Sequence, residues 1–234
     1  GLQALDDVYI TVDEKEIVGL IGPNGAGKTT VFNLLTKVYQ PTRGKILIDG
    51  KDTRGMSTIQ VNRAGVARTF QVVRPLKEMS VFENILVGAY MRTSDTAKAR
   101  EVAERCMDLC FLSEHRNKLA GGLTIGNKKR LEVARALATE PELILLDEAV
   151  AGLTSSEVKE MVNVIVRLKE EGLTILMVEH IMEAIMPIAD KIVVLASGQK
   201  IAEGRPADIV HDPVVITAYF GEKFSKRLHG EGNQ

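Results

Sequence analysis

The 234-residue chain is long enough for one large domain or two small ones around a sizeable core. Its 30 Lys and Arg against 31 Asp and Glu leave a net charge of -1, which argues against an overall basic nucleic-acid binder, and 4% aromatic residues with no Trp argue against a base-stacking platform. Two cysteines exclude a disulfide scaffold, no apolar run reaches the roughly 18 residues of a membrane span, and no signal peptide opens the chain, so an intracellular protein that meets membranes only through partners is expected.

In chain order, Val8, Ile10 and Val12 alternate with Tyr9 and Thr11, the pattern of a half-buried antiparallel strand. Residues 17–21 form an apolar run ending at Gly22, which predicts a buried strand; a helix over 29–38 and a strand over 45–49, closed by Gly50, follow. From 80 to 118 the composition is helical, and 131–138 is a strong helix former. Strand–helix alternation returns after Pro141: strands over 143–146, 174–178 and 191–195, with an amphipathic helix over 155–171. An α/β layer with a mostly parallel sheet is therefore expected, formed by residues 1–71 and 139–221, with a helical subdomain inserted at about 72–138. The polar tail 222–234 is expected to fray. Cys106 and Cys110 have helical i, i+4 spacing and read as packed thiols; His115, His211 and His229 read as surface residues.

Gly22-Pro23-Asn24-Gly25-Ala26-Gly27-Lys28-Thr29 matches G-x-x-x-x-G-K-[ST], between a strand and a helix. The glycines let the backbone curl so that successive N–H groups form an anion nest, and the helix that continues through Thr30 turns its positive end to the phosphates of a nucleotide. Lys28 supplies a point charge for the β- and γ-phosphates, and the Thr29 hydroxyl a ligand for Mg²⁺. The run 143–146 ends in Asp147-Glu148. Asp147 can hold Mg²⁺ through water, and Glu148, pointing to the other side, is the natural general base.

Further segments narrow the class: Gln71 after Arg68-Thr69-Phe70, Leu123-Thr124-Ile125-Gly126-Asn127 leading into a helix, and His180 after Val178-Glu179 at a strand end. In this order, and over nearly the whole chain, the five motifs resemble those of the ATP-binding subunit of an ABC transporter: phosphate loop, Q-loop, signature motif, acidic strand end and switch histidine. Residues 79–88, 130–138 and 216–222 look like the branch that energises branched-chain amino acid uptake, to which importers of urea or short amides are similar. The resemblance implies a single ABC ATPase domain with an antiparallel β subdomain and the inserted helical one. Its cofactors would be ATP and Mg²⁺. Gly22 to Thr30 and Gln71 would contact ATP, with Thr29, Gln71 and Asp147 about the metal, and Glu148 and His180 catalytic. A second ABC ATPase subunit, a copy or a related chain, would present Thr124, Ile125, Gly126 and Asn127 in trans. Integral-membrane permeases and, indirectly, a solute-binding protein would complete the importer at the cytoplasmic face of the inner membrane, with no nucleic acid.

The chain also departs from the family pattern. Ile125 and Asn127 replace a small residue and a Gln, Ala149 stands where Pro is common, and Thr154 where an Asp or Asn often couples the two ATP sites. The adenine-stacking aromatic expected before the first strand is not visible, as if cut off ahead of Gly1. Two other readings compete. A soluble ABC ATPase of translation or DNA repair usually carries two ATPase halves or a long coiled coil, which 234 residues do not hold. A nucleotide-sensing module that hardly turns ATP over is opposed by the presence of both Glu148 and His180.

Overall fold

A computed structural model describes residues 3–220. Its elements are β1 (Ile17–Ile21), α1 (Lys28–Leu35), β2 (Leu47–Ile48), β3 (Lys51–Asp52), α2 (Thr58–Arg63), β4 (Val66–Arg68), α3 (Val81–Ala89), α4 (Thr96–Leu109), α5 (Ile125–Leu137), β5 (Leu143–Asp147), α6 (Ser155–Glu170), β6 (Thr174–Val178), α7 (Met182–Ile185), β7 (Lys191–Ala196), β8 (Gln199–Gly204), α8 (Pro206–Ile209) and α9 (Pro213–Phe220). Six strands form one sheet in the order β4-β5-β6-β1-β7-β8, parallel except for the antiparallel edge strand β8; β2 and β3 form a separate antiparallel pair.

Strand alternation sorts the core into two layers. Ile17, Ile21, Ile144, Leu146, Ile175, Met177, Ile192 and Val194 face a cluster that includes Ile85, Leu131, Met161 and Ile165 from α3, α5 and α6. Val18, Leu20, Leu145, Leu176, Val178, Val193 and Leu195 face a second cluster with Val31 and Phe32 of α1. Covering both faces explains why these strands read as continuous apolar runs. Each fully buried aliphatic side chain contributes about 1.5–3 kcal/mol.

Helix starts follow capping chemistry. Ser80 and Ser57 close capping boxes with Glu83 and Gln60, and Asp95 accepts from the Ala97 and Lys98 N–H groups. Cys106 on α4 and Cys110 at its C-terminal cap are buried, and burial pushes the Cys106 thiol up to about 12 and Cys110 higher still, so both are inert packing groups.

One expectation needs correction, and two strands go beyond what was expected. Residues 8–12 form no strand ladder: Val8, Ile10 and Val12 do pack on the second cluster, so the alternation reports a buried face, not hydrogen bonding. Tyr9 is exposed, with Lys200 Nζ 5.6 Å from its ring centroid. The short strands β4 and β8 were not foreseen; β8 follows a two-residue turn in which Ser197 and Gly198 both have positive φ, 48° and 79°, the left-handed pair a tight hairpin requires. The tail 222–234 lies outside the described residues.

Candidate active site

Register places the site. In neighbouring parallel strands Asp147 pairs with Val178, and Val178 with Leu20, so the residues after β1, β5 and β6 emerge side by side at the carboxyl edge of the sheet. Gly22, Asp147-Glu148 and Glu179-His180 meet there.

The loop after β1 can be built only with glycine where it bends. A Cβ on Gly22 would lie 2.0 Å from the Leu195 carbonyl oxygen, and Gly27, at φ 104°, abuts Leu5. Gly27 caps α1 without a side-chain bond, and the helix has no acidic residue in its first turn, so its positive end is left for an anion. Ala26 and Lys28 are buried, Pro23, Gly27 and Thr30 half-buried, and Asn24, Gly25 and Thr29 exposed. Lys28 Nζ folds back onto the Gly22 and Pro23 carbonyls at 2.7 and 3.0 Å. Burial lowers its pKa, opposed by the negative charge of Glu148 nearby.

Glu148 is the focus of the cluster. His180 Nε2 lies 3.0 Å from Glu148 Oε1, and Gln71 Nε2 donates to Glu148 Oε2 at 2.7 Å. A carboxylate only accepts, so His180 Nε2 carries the hydrogen of this pair. Two residues singled out separately in the sequence, Gln71 and His180, thus converge on the Glu148 carboxylate. The Glu148 backbone is itself in the left-handed region, at φ 50°, a conformation that costs a non-glycine residue on the order of 1 kcal/mol or more.

Asp147 is held by a residue to which the sequence assigned no role. Arg68 Nη2 donates to Asp147 Oδ2 at 2.7 Å, both side chains being almost wholly buried, and Arg68 Nη1 donates to Asn33 Oδ1 at 2.7 Å. The guanidinium lies between the Phe32 and Phe70 rings, 5.4 and 5.2 Å from their centroids. The arginine stood in the Q-loop motif, but its partner follows from the pairing of β4 with β5, invisible in a linear reading. Glu179, also unassigned, is buried; burial raises its carboxyl to about 7, against an opposing hydrogen bond from the Val150 N–H.

Thr124 to Asn127 stand apart from this cluster. Thr124 caps α5 by accepting from the Asn127 N–H at 3.2 Å, and Thr124 and Ile125 are exposed. Both ends of the Asn127 amide are engaged, by His115 Nε2 at 2.9 Å and by Arg130. His115 is therefore a packing partner rather than a free surface residue. Thr154 caps α6 in a capping box with Glu157. Hydrogen bonds from Thr154, then from the Gly126 N–H and the Thr124 hydroxyl, hold the Glu157 carboxyl below its ordinary pKa. A Cβ on Gly126 would meet Glu157 Oε1 at 2.6 Å, so a side chain there would push the flexible Glu157 carboxylate aside.

The chain matches the family described as ABC transporter over residues 5–151, and the one described as branched-chain amino acid ATP-binding cassette transporter over 199–225. It is 42% identical to the high-affinity branched-chain amino acid transport ATP-binding protein BraF of Pseudomonas aeruginosa, over 95% of this chain and 93% of the relative. The corresponding protein LivG of Escherichia coli is also 42% identical, with the same coverage. Among solved structures, a nucleotide-free ATP-binding cassette from an ABC transporter superposes with a TM-score of 0.84 at 32% identity, covering 94% of this chain and 93% of the other. A dimeric cassette in a post-hydrolysis state, bound to ADP and Pi, gives 0.77 at 25% identity, covering 87% and 90%.

Proposed function

Because the chain belongs to the ABC transporter family as an ATP-binding cassette, we propose that it hydrolyses ATP to drive uptake of branched-chain amino acids through integral-membrane permease subunits. The observation that carries the chemistry is the convergence of Gln71 and His180 on Glu148 beside the Lys28 loop.

The phosphates of ATP would lie in the nest formed by Gly22 to Thr30. Lys28 would exchange the Gly22 and Pro23 carbonyls for phosphate oxygens, and a hydrogen bond to a charged group is worth about 1.5–3 kcal/mol. The exposed Thr29 hydroxyl, the Asp147 carboxylate and the Gln71 amide oxygen form a hard, all-oxygen donor set, which fits Mg²⁺. When bound, the ion neutralises charge on the transferring phosphoryl group. Glu148 takes the proton of the attacking water, and His180, bonded to the same carboxylate, orients it towards the γ-phosphate. Asp147 is shared with Arg68, whose guanidinium compensates its charge in a buried setting.

The signature segment serves a second cassette, a copy of this chain or a related one; the dimeric relative supports such pairing. What it offers outward is the Thr124 hydroxyl and the start of α5, where the partner's γ-phosphate would displace the Glu157 carboxylate. Exposed Phe70, Val72 and Leu76 flank Gln71 and give the permeases an apolar face next to the catalytic centre. No helix among the described residues is long and apolar enough to cross a membrane, which suits a peripheral subunit on the cytoplasmic face of the inner membrane. A solute-binding protein would deliver the cargo to the permeases.

The match over residues 199–225 and the names of the relatives favour branched-chain amino acids over urea or amides. Reconstitution with the permeases and binding protein of a branched-chain amino acid importer tests this. Leucine, isoleucine or valine should stimulate ATP hydrolysis and accumulate inside vesicles; stimulation by urea or acetamide alone would overturn the cargo assignment.

A further inference from the structure

The turn that carries Glu148 is gripped by two buried charges. Lys129, on α5 and only 7% exposed, donates from Nζ to the Glu148 carbonyl oxygen at 2.6 Å. Glu179, the residue before His180 and 1% exposed, accepts from the Val150 N–H at 3.0 Å; its second oxygen has no hydrogen-bond partner among the described residues. The two charges act on each other, each offsetting part of what burial does to its partner. A lysine on the surface of a helix ordinarily keeps its ammonium in water. Here it is withdrawn and spent on the backbone of a left-handed residue, the one bearing the carboxylate that Gln71 and His180 share.

The same helix makes a second grip. Glu132, one turn further along α5, accepts the Phe70 N–H at 2.6 Å, next to Gln71. One face of α5 thus holds both the Glu148 turn and the Q-loop, while the beginning of the helix, at Thr124 and Ile125, is exposed. A helix moves as a rigid body, so a shift at its start is carried to Lys129 within about one turn.

We propose that Lys129 is a positioning residue for Glu148: it fixes the turn so that the carboxylate faces Gln71 and His180, and it makes that aim depend on how the signature segment is seated. The proposal rests on the reading of Glu148 as the general base. Lys129 touches neither nucleotide nor water in this account and acts only through the Glu148 backbone.

Single-turnover phosphate release and equilibrium binding of a non-hydrolysable ATP analogue are measured for the parent, Lys129→Met, Lys129→Arg, Glu148→Gln and the double variant Lys129→Met/Glu148→Gln. Lys129→Met should slow hydrolysis about 10- to 100-fold with analogue affinity within about twofold of the parent, and Lys129→Arg should restore most of the rate. In the Glu148→Gln background Lys129→Met should change the residual rate by less than about twofold, since a group acting through Glu148 has nothing left to position. Parent-like hydrolysis by Lys129→Met, or the same fold loss in both backgrounds, would overturn the proposal while leaving Glu148 as the base. Parent-like hydrolysis by Glu148→Gln would remove the base assignment, and the proposal with it. Should Lys129→Met not fold with Glu179 uncompensated, Lys129→Met/Glu179→Gln carries the same comparison, because the glutamine still accepts from Val150 and no buried charge is stranded.

Discussion

The carboxyl edge of the sheet and the start of α5 are both nucleotide-facing regions in the proposed mechanism, yet they are built differently. At the sheet edge the functional side chains are bonded to one another: Gln71 and His180 to Glu148, and Arg68 to Asp147. At α5 Thr124 and Ile125 are exposed, and the Glu157 carboxylate lies beside Gly126 and Thr124. On the proposed reading the first region is half a site assembled by the fold, and the second would be half of a different site, faced by the protein's own anion until another molecule supplies one. In the proposed mechanism a single chain would bind ATP at one place and help to hydrolyse it at another.

Substitutions should separate the two halves. Glu148→Gln keeps the shape of the base and loses its proton acceptor, so hydrolysis should fall about 10²–10⁴-fold while ATP binding persists. Phosphate release beside binding calorimetry reads both, and a parent-like rate would leave His180 as the better candidate. Gly126→Asp puts a carboxylate against Glu157 and at the place proposed for the partner's γ-phosphate. Like charges opposed across an interface cost several kcal/mol, so hydrolysis should drop about 10²-fold with ATP affinity of the isolated chain unchanged. A loss of that affinity would show that the two regions are not separate. Lys28→Ala should weaken ATP binding about 10- to 100-fold without changing the melting temperature of the nucleotide-free protein, since Lys28 bonds only carbonyls of its own loop.

A smaller effect concerns pH. Glu179 titrates at about 7 in the fold against 4.5 when free, so the folded state binds more protons between those values. Its contribution is thus a stability that declines as pH rises from about 4.5 to about 7 and stays lost above. Urea melts across this range should show a decline that Glu179→Gln flattens; an unchanged slope would mean that Glu179 is ionised throughout.

How much of this was legible in the sequence depended on how far apart the partners lie along the chain. The loop 22–29 and the end of the run 143–147 are local signals, and the strands ahead of them were read within a residue of where they end. Four of the five parallel strands, β1, β5, β6 and β7, announced themselves because burial on both faces leaves them no polar side. Arg68 was visible but mute: its role comes from β4 lying beside β5 with Arg68 opposite Leu145. Lys129 stands in a basic run with Lys128 and Arg130, and helical spacing gives no hint that it alone turns inward to Glu148. Thr154 drew notice as a departure from the family pattern, and its capping box with Glu157 reveals a structural use for the hydroxyl. Residues 8–12 mislead in the opposite sense, since an alternating pattern fits any extended segment laid on a sheet face.

The division of the site between two chains is tested most directly by mixing two defective proteins. Glu148→Gln spoils the half-site at the sheet edge, and Gly126→Asp the half-site at α5. In a mixed pair both defects fall in one composite site and the other is intact. An equimolar mixture, with mixed dimers verified by light scattering in Mg-ATP, should therefore recover roughly a quarter of the parent hydrolysis rate, half of the dimers each having one good site of two. Mixed dimers that form and hydrolyse no faster than the average of the two variants alone would contradict the account, and would place the whole of each site within one chain.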